Sequence, residues 1–278
     1  MVGVVTDSAS NLPEGVAQDL GIQVVPLYLR FGESVYRDGV DLTPGDFYER
    51  LVRGGEAAST AAPSPGDFQE AFERTGQEEV VCVTVDSSMS SSQQQAVLAA
   101  GRFSGRVAFV DSKSASMGEG FVVMEAARRA ANGDRLTEVE ASTNDLAGRT
   151  RLFAMVDTFE FLRKSGRVTK LQAYAATMLD IKPVFGFKQG EVIPVARSRT
   201  RRRALARIIE ETLREVDGRA VHLAVIHAAA EDDAREIEKL IADQANVVES
   251  YVLSVTPVIG AHTGPGLVGT AFYPEGLP

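Results

Sequence analysis

Three short apolar runs in this chain end in the same way. "VVTDSAS" (Val4 to Ser10), "VTVDSSMS" (Val83 to Ser90) and "AFVDSKSAS" (Phe109 to Ser116) each pass from β-branched or aromatic residues through Asp-Ser into further small hydroxyl residues, and a helix-like stretch follows. Strand, polar turn and helix in repetition are the pattern of βαβ units on a parallel sheet. Ligands of such sheets sit outside the carboxyl ends of the strands, so the three turns are predicted to converge on one polar pocket. Singly, each turn reads first as a helix N-cap, because Ser and Asp satisfy orphan amides there. "MSSSQQQ" carries more serines than a cap requires.

The pattern extends along the chain. Strands are predicted at residues 2–6, 22–30, 79–85, 106–110 and 151–156. Two intervening helices open on a cap followed by proline, at Thr43-Pro44 and Ser64-Pro65, each with an Asp in its first turn. After about residue 156 the pattern changes to a helical "FEFLRKSGRVTKLQAYAATMLD", then "IKPVFGF" and "EVIPVAR" flanking "KQG" as a hairpin, and a long helix from about 200 to 216. Strands "HLAVIHA" and "VVESYVLSV" and a last one near "LVGTAFY" complete it. At 278 residues and 44% hydrophobic, the chain suits two domains at ~100–200 residues each. The expected fold class is α/β: a parallel-sheet βαβ domain over 1–155 and an α+β domain over 156–278.

Several functions are disfavoured. Apolar runs such as "VVPLYL" fall far short of the ~20 residues of a membrane span, and "VGVVTDS" at the start lacks the regions of a signal peptide, so a cytoplasmic protein without stable membrane insertion is expected. The single cysteine, Cys82 in "VVCVTV", reads as a buried strand residue, and Cys/His metal clusters are absent. A net charge of -9 argues against nucleic acid, and the basic run "RSRTRRRALAR" reads as a wet helix face. Phosphate loops of nucleotide sites are missing; "GEGFVV" comes closest and lacks the third glycine. Serine hydroxyls beside helix N-termini nonetheless suit an anion. His262 adds a candidate donor: it lies in "IGAHTGPGLVG", where glycines permit close approach or unusual φ. His222 and His227 border the predicted strand "LAVI" and read as structural.

These segments, taken in order, carry a resemblance. "VTDSASNL", "YRDGVDLTPGDFYERL", "STAAPSPGDF", "SSMSSSQQQA", "VDSKSASMGEG", "FLRKSGRV", "IKPV" and "HTGPG" are similar to the successive motifs of the DegV family over nearly the whole chain. The resemblance implies a two-domain protein that binds one long-chain fatty acid, carboxylate at the domain junction and tail in an apolar tunnel. Family members of this kind serve as the acyl-binding subunit of a bacterial fatty acid kinase and present the carboxylate to a separate dihydroxyacetone-kinase-like subunit that makes the acyl phosphate. The carrier itself is non-catalytic and needs no cofactor; a monomer is expected.

Carried over by position, the resemblance assigns the carboxylate to Thr60, Ser90, the backbone N–H of Ser91, and His262. It associates Arg167 and Arg199 with the phosphate product and the kinase, and gives Asp7, Ser8 and Gly264 a part in shaping the pocket. Ser91 stands where the family commonly has Gly, and Ala61-Ala62 where a hydroxyl or amide residue followed by Gln is common. A turn requiring a glycine-like φ would strain Ser91.

Elementary chemistry agrees with such a ligand. Neutral hydroxyls and amides give a carboxylate its donors without a fixed counter-charge, and an imidazole donates a hydrogen bond whether charged or neutral. At ~0.8 kcal/mol per buried methylene, a tail of roughly sixteen carbons contributes ~12 kcal/mol gross. "FEFL", "AATMLDIKPVFGF" and "VIPV" place the expected tunnel in the second domain. The alternative is a serine hydrolase of lipid esters using Ser90 or Ser88 with His262, although "SSMSSSQ" lacks the G-x-S-x-G elbow. Phosphotransfer on His262 rests on fold analogy alone.

Overall fold

The computed structural model describes residues 1–54, 58–166, 181–188 and 190–276. Its first sheet is parallel and four-stranded, with β1 (Val2–Asp7), β2 (Ile22–Val25), β6 (Glu79–Thr84) and β7 (Arg106–Asp111) in the order β2-β1-β6-β7. β1 is buried along its whole length, as a strand covered on both faces must be, which is why "VGVV" shows no alternation. The segment predicted as one strand over 22–30 is broken at Pro26, which cannot donate to a ladder. Its second half is β3 (Tyr28–Phe31), which turns away to form a separate antiparallel sheet, β4-β3-β5, with β4 (Ser34–Arg37) and β5 (Ala58–Ala61).

The second large sheet has six strands in the order β10-β9-β8-β13-β11-β12. β8 (Arg151–Met155), assigned to the first domain by the sequence pattern, belongs here, antiparallel to β9 (Lys182–Lys188) and β13 (Val268–Pro274). A strand that follows a helix looks the same whichever sheet it joins, because the pairing partner lies far away in the chain. The expected hairpin is β9 with β10 (Glu191–Ser198), and the long helix is Arg201–Val216. β11 (Val221–His227) and β12 (Val247–Ser254) run parallel to each other. The predicted helix after residue 159 is seen over Glu160–Ser165; its continuation lies outside the described residues.

Helix Met117–Ala131 joins the halves. Met117 through Met124 are buried without interruption, as expected for a helix covered all round, and its Phe121 meets Tyr251 and Tyr273 of the second sheet edge to face or tilted. One apolar core runs from Val4 and Val81 of the first sheet to Leu152, Ala154 and Phe185 of the second. Cys82 is buried in β6, with its thiol pushed up by burial.

Candidate functional site

The three Asp-Ser turns are one structural device used three times. Asp7 accepts from the N–H of Ala9 at 3.0 Å, Asp86 from Ser88 at 2.7 Å and Asp111 from Lys113 at 2.9 Å, each carboxylate closing a turn onto the amide two residues on. The turns are also tied together. Val85 N–H donates to Asp7 Oδ2 at 3.2 Å, the Ser87 hydroxyl to Asp111 Oδ2 at 2.6 Å, and Asp86 N–H to the Ser114 carbonyl at 2.9 Å. Local turn chemistry therefore sets the shape of each loop, and adjacency of β1, β6 and β7 brings the loops together.

A cavity of about 520 Å³ opens beside them. The turns supply Ser87, Ser88, Ser90, Ser91 and Ser116 to its lining, while Leu152, Ala154, Phe185, Phe187 and Ile226 of the second sheet face them. The apolar wall combines these with Ala9, Leu27, Val85 and Met89, so the apolar space lies between the two halves and not within the second domain alone. Among the described residues that line it, His262 is the sole ionisable side chain.

Three elements carry the expected head-group residues to the lining of this cavity. Thr60 sits on β5, opposite Leu29. Ser90 and Ser91 precede helix Ser92–Ala100, whose first amides have no partner within the helix. His262 lies in the last turn of helix Pro257–Thr263, and its Nε2 is 2.9 Å from Thr60 Oγ1, across 202 residues of sequence. Ser90 Oγ lies 3.0 Å from Ser92 Oγ and accepts from Ser92 N–H at 3.2 Å. Ser91 has φ −86 and ψ 9, a conformation open to any residue, so the departure from glycine costs this turn no strain.

Gly264 answers why "HTGPG" is glycine-rich. It ends the helix with φ +74, donating its N–H to the Gly260 carbonyl at 2.8 Å, and a Cβ there would stand 2.3 Å from the Phe161 ring. Gly260 lets the same helix lie against Tyr48 and Phe47, whose atoms a Cβ would meet at 2.5 and 2.8 Å.

Asp7 and Ser8 lie behind the lining. Asp7 is fully buried, and desolvation pushes its carboxyl up to about 6. Glu119, equally buried and bonded by the Thr6 hydroxyl at 3.1 Å, is pushed well up by burial and then by the nearby Asp7. Arg199 is exposed in the turn after β10 and does not line the cavity; Arg167 lies outside the described residues. His222 sits between Glu249 at 2.6 Å and Glu275 at 3.2 Å, stacked on Tyr273, while His227 Nδ1 accepts from Ala230 N–H at 3.3 Å.

Sequence reasoning placed the tunnel at "FEFL" and "IKPVFGF", which supply Leu162, Phe185 and Phe187 to the lining, but named no role for Gln94, Leu152, Ala154 or Ile226, and none for Asp38 or Asn11, which bond the start of the His262 helix. "RDGVD" displayed Asp38, but no local pattern tells a buried capping carboxylate from a wet one. Among the described residues no His/Cys/Asp/Glu cluster could hold a metal ion, and no helix is long and apolar enough to cross a membrane.

Comparison with known proteins agrees with this architecture. A DegV domain-containing protein of Halalkalibacterium halodurans is 32% identical over 279 residues, covering 99% of both chains. The solved structure of a DegV family protein from Thermus thermophilus, described as binding fatty acid, superposes with a TM-score of 0.92 at 32% identity, over 98% of this chain and 99% of that one. Bacillus subtilis DegV, described as a fatty acid binding protein, gives a TM-score of 0.90 at 28% identity, over 99% of each. The family model described as "Uncharacterised protein, DegV family" matches residues 1–275, and the chain belongs to the DegV family.

Proposed function

We propose that this protein binds one long-chain fatty acid and presents its carboxylate to a dihydroxyacetone-kinase-like fatty acid kinase subunit, which forms the acyl phosphate. The observation that carries the reading is the Thr60–His262 contact of 2.9 Å in the lining of a cavity whose other lining residues are mostly apolar or serines. Thr60 Oγ1, Ser90 Oγ, Ser91 N–H and His262 are the donors for the carboxylate, and the tail lies along Leu152, Ala154, Phe185, Phe187 and Ile226. The protein acts as a carrier without catalysis or cofactor, works in the cytoplasm, and is a monomer of two domains, 1–155 and 156–278 by the sequence pattern. Arg167 and Arg199 serve the kinase and the phosphate product; Asp7, Ser8 and Gly264 shape the pocket.

Two solved relatives described as fatty acid binding, at 32% and 28% identity, support the ligand class. Neutral donors suit a carrier that must release its ligand, because no fixed cation holds the carboxylate. The hydrolase alternative gains little, since the Ser90 hydroxyl pairs with Ser92 and His262 Nε2 with Thr60. Native mass spectrometry of the purified protein, followed by extraction, tests the proposal. One fatty acid per chain is the expected result. An empty protein that takes up neither palmitate nor oleate overturns it.

A further inference from the structure

Helix Pro257–Thr263 is short, and its N-cap Thr256 makes no capping bond with its own side chain. Two residues from the opposite end of the chain cap it instead. Asn11 Oδ1 accepts from Thr256 N–H at 2.6 Å, and Asp38 Oδ1 accepts from Val258 N–H at 3.0 Å. Asp38 is 1% exposed. Its second oxygen accepts from the Ser8 hydroxyl at 2.7 Å, which itself accepts from Leu27 N–H at 3.0 Å. Every bond of this carboxylate is thus committed to placing one helix against one loop.

The placement bears on the head-group site. Asp38 directly follows β4 and Thr60 lies on β5, the two outer strands of one three-stranded sheet. That sheet grips the helix at both ends: Asp38 at Val258, Thr60 at His262, one helical turn later. Gly260 between them rests against Tyr48 and leaves no room for a side chain. The helix can pivot only if one end is released.

Building on the carrier reading above, we infer that Asp38 is a positioning residue for His262: by fixing Val258 it sets the distance from the imidazole to Thr60, and so the grip on an acyl carboxylate, without touching the ligand. Asp38 does not itself line the cavity, whereas His262 on the helix it holds does.

The test compares palmitate with hexadecanol, which has the same tail and no carboxylate, by displacement of a fluorescent acyl probe. Asp38→Ala should weaken palmitate about tenfold or more and hexadecanol less than about twofold, and should add less than about twofold in a His262→Ala background. Asp38→Asn, which keeps an oxygen for Val258 N–H, should return palmitate binding to within about threefold of wild type. Equal losses for acid and alcohol, additivity with His262→Ala, or an Asn variant as weak as Ala overturns the inference. Should Asp38→Ala fail to fold, Ser8→Ala is read in the same way: acid-selective weakening supports the inference and equal weakening overturns it. The His262 imidazole 15N resonances of the unliganded protein give a readout independent of lipid. A shift in Asp38→Ala or Ser8→Ala is expected, and unchanged resonances overturn the inference. Failure of the wild type to bind either lipid overturns the carrier reading and leaves the resonances to decide the role of Asp38.

Discussion

The two walls of the cavity are built from different sheets and do different work. The parallel sheet ends in loops whose carboxylates are spent on backbone amides, leaving serine hydroxyls to face the cavity. The mixed sheet presents Leu152, Ala154, Phe185, Phe187 and Ile226 with no polar side chain among them. One wall can orient a head group and the other can only desolvate a tail. The helix carrying His262 bridges them, with its start held by Asn11 and Asp38 of the first half and its imidazole on Thr60.

The contrast can be broken hardest at the bridge. Gly264→Val places a branched side chain at φ +74 against Phe161 and is expected to cost about 3 kcal/mol or more of stability, read from urea unfolding, together with lipid binding. Thr60→Ala or His262→Ala leaves the apolar wall intact and, under the proposed function, removes one partner of a desolvated carboxylate. Calorimetric titration with palmitate should show roughly ten- to hundredfold weaker binding, corresponding to ~1.5–3 kcal/mol, with little change in unfolding midpoint.

A smaller effect separates buried carboxyls from paired ones. Asp7 and Asp38 are pushed up from 3.8 to about 6, by desolvation first. Over that interval the folded protein holds more protons than the unfolded chain, so their contribution to stability falls as pH rises from about 4 to about 6. Glu249 behaves oppositely: the hydrogen bond from His222, then those of Tyr251 and Arg128, hold it at about 2. Its contribution is present above about pH 4.5 and is lost as pH falls toward 2. Urea midpoints measured across pH should therefore resolve two windows, the upper flattened by Asp7→Asn and the lower by Glu249→Gln. Smallest of all, Arg199→Ala should change palmitate affinity less than about twofold, because an exposed charge outside the cavity contributes little to binding, while, under the proposed function, slowing acyl phosphate formation with the proposed kinase subunit. Unchanged transfer would remove Arg199 from the partner surface.

The site was legible where chemistry is local. An Asp-Ser turn after a strand encodes its own closure through a side chain reaching two residues on, so three such turns announced three aligned loops. Thr60, Ser90, Ser91 and His262 were named through ordered motifs. β4 and β5 escaped because four-residue strands around Gly32 and after the helix Pro44–Gly54 carry too little period-2 signal to stand out. The sheet membership of β8 escaped because strand pairing depends on β9 and β13, encoded later in the chain.

By itself, then, the sequence determined the types of the longer elements and the three carboxylate-closed turns, products of contacts within a few residues. The tertiary structure alone decided that the apolar space lies between the halves, that Thr60 meets an imidazole 202 residues away, and that Asp38 is a buried cap and not a solvated loop residue. Those outcomes depend on which surfaces pack together. Burial and pairing are set by distant partners, and short-range patterns carry no record of them.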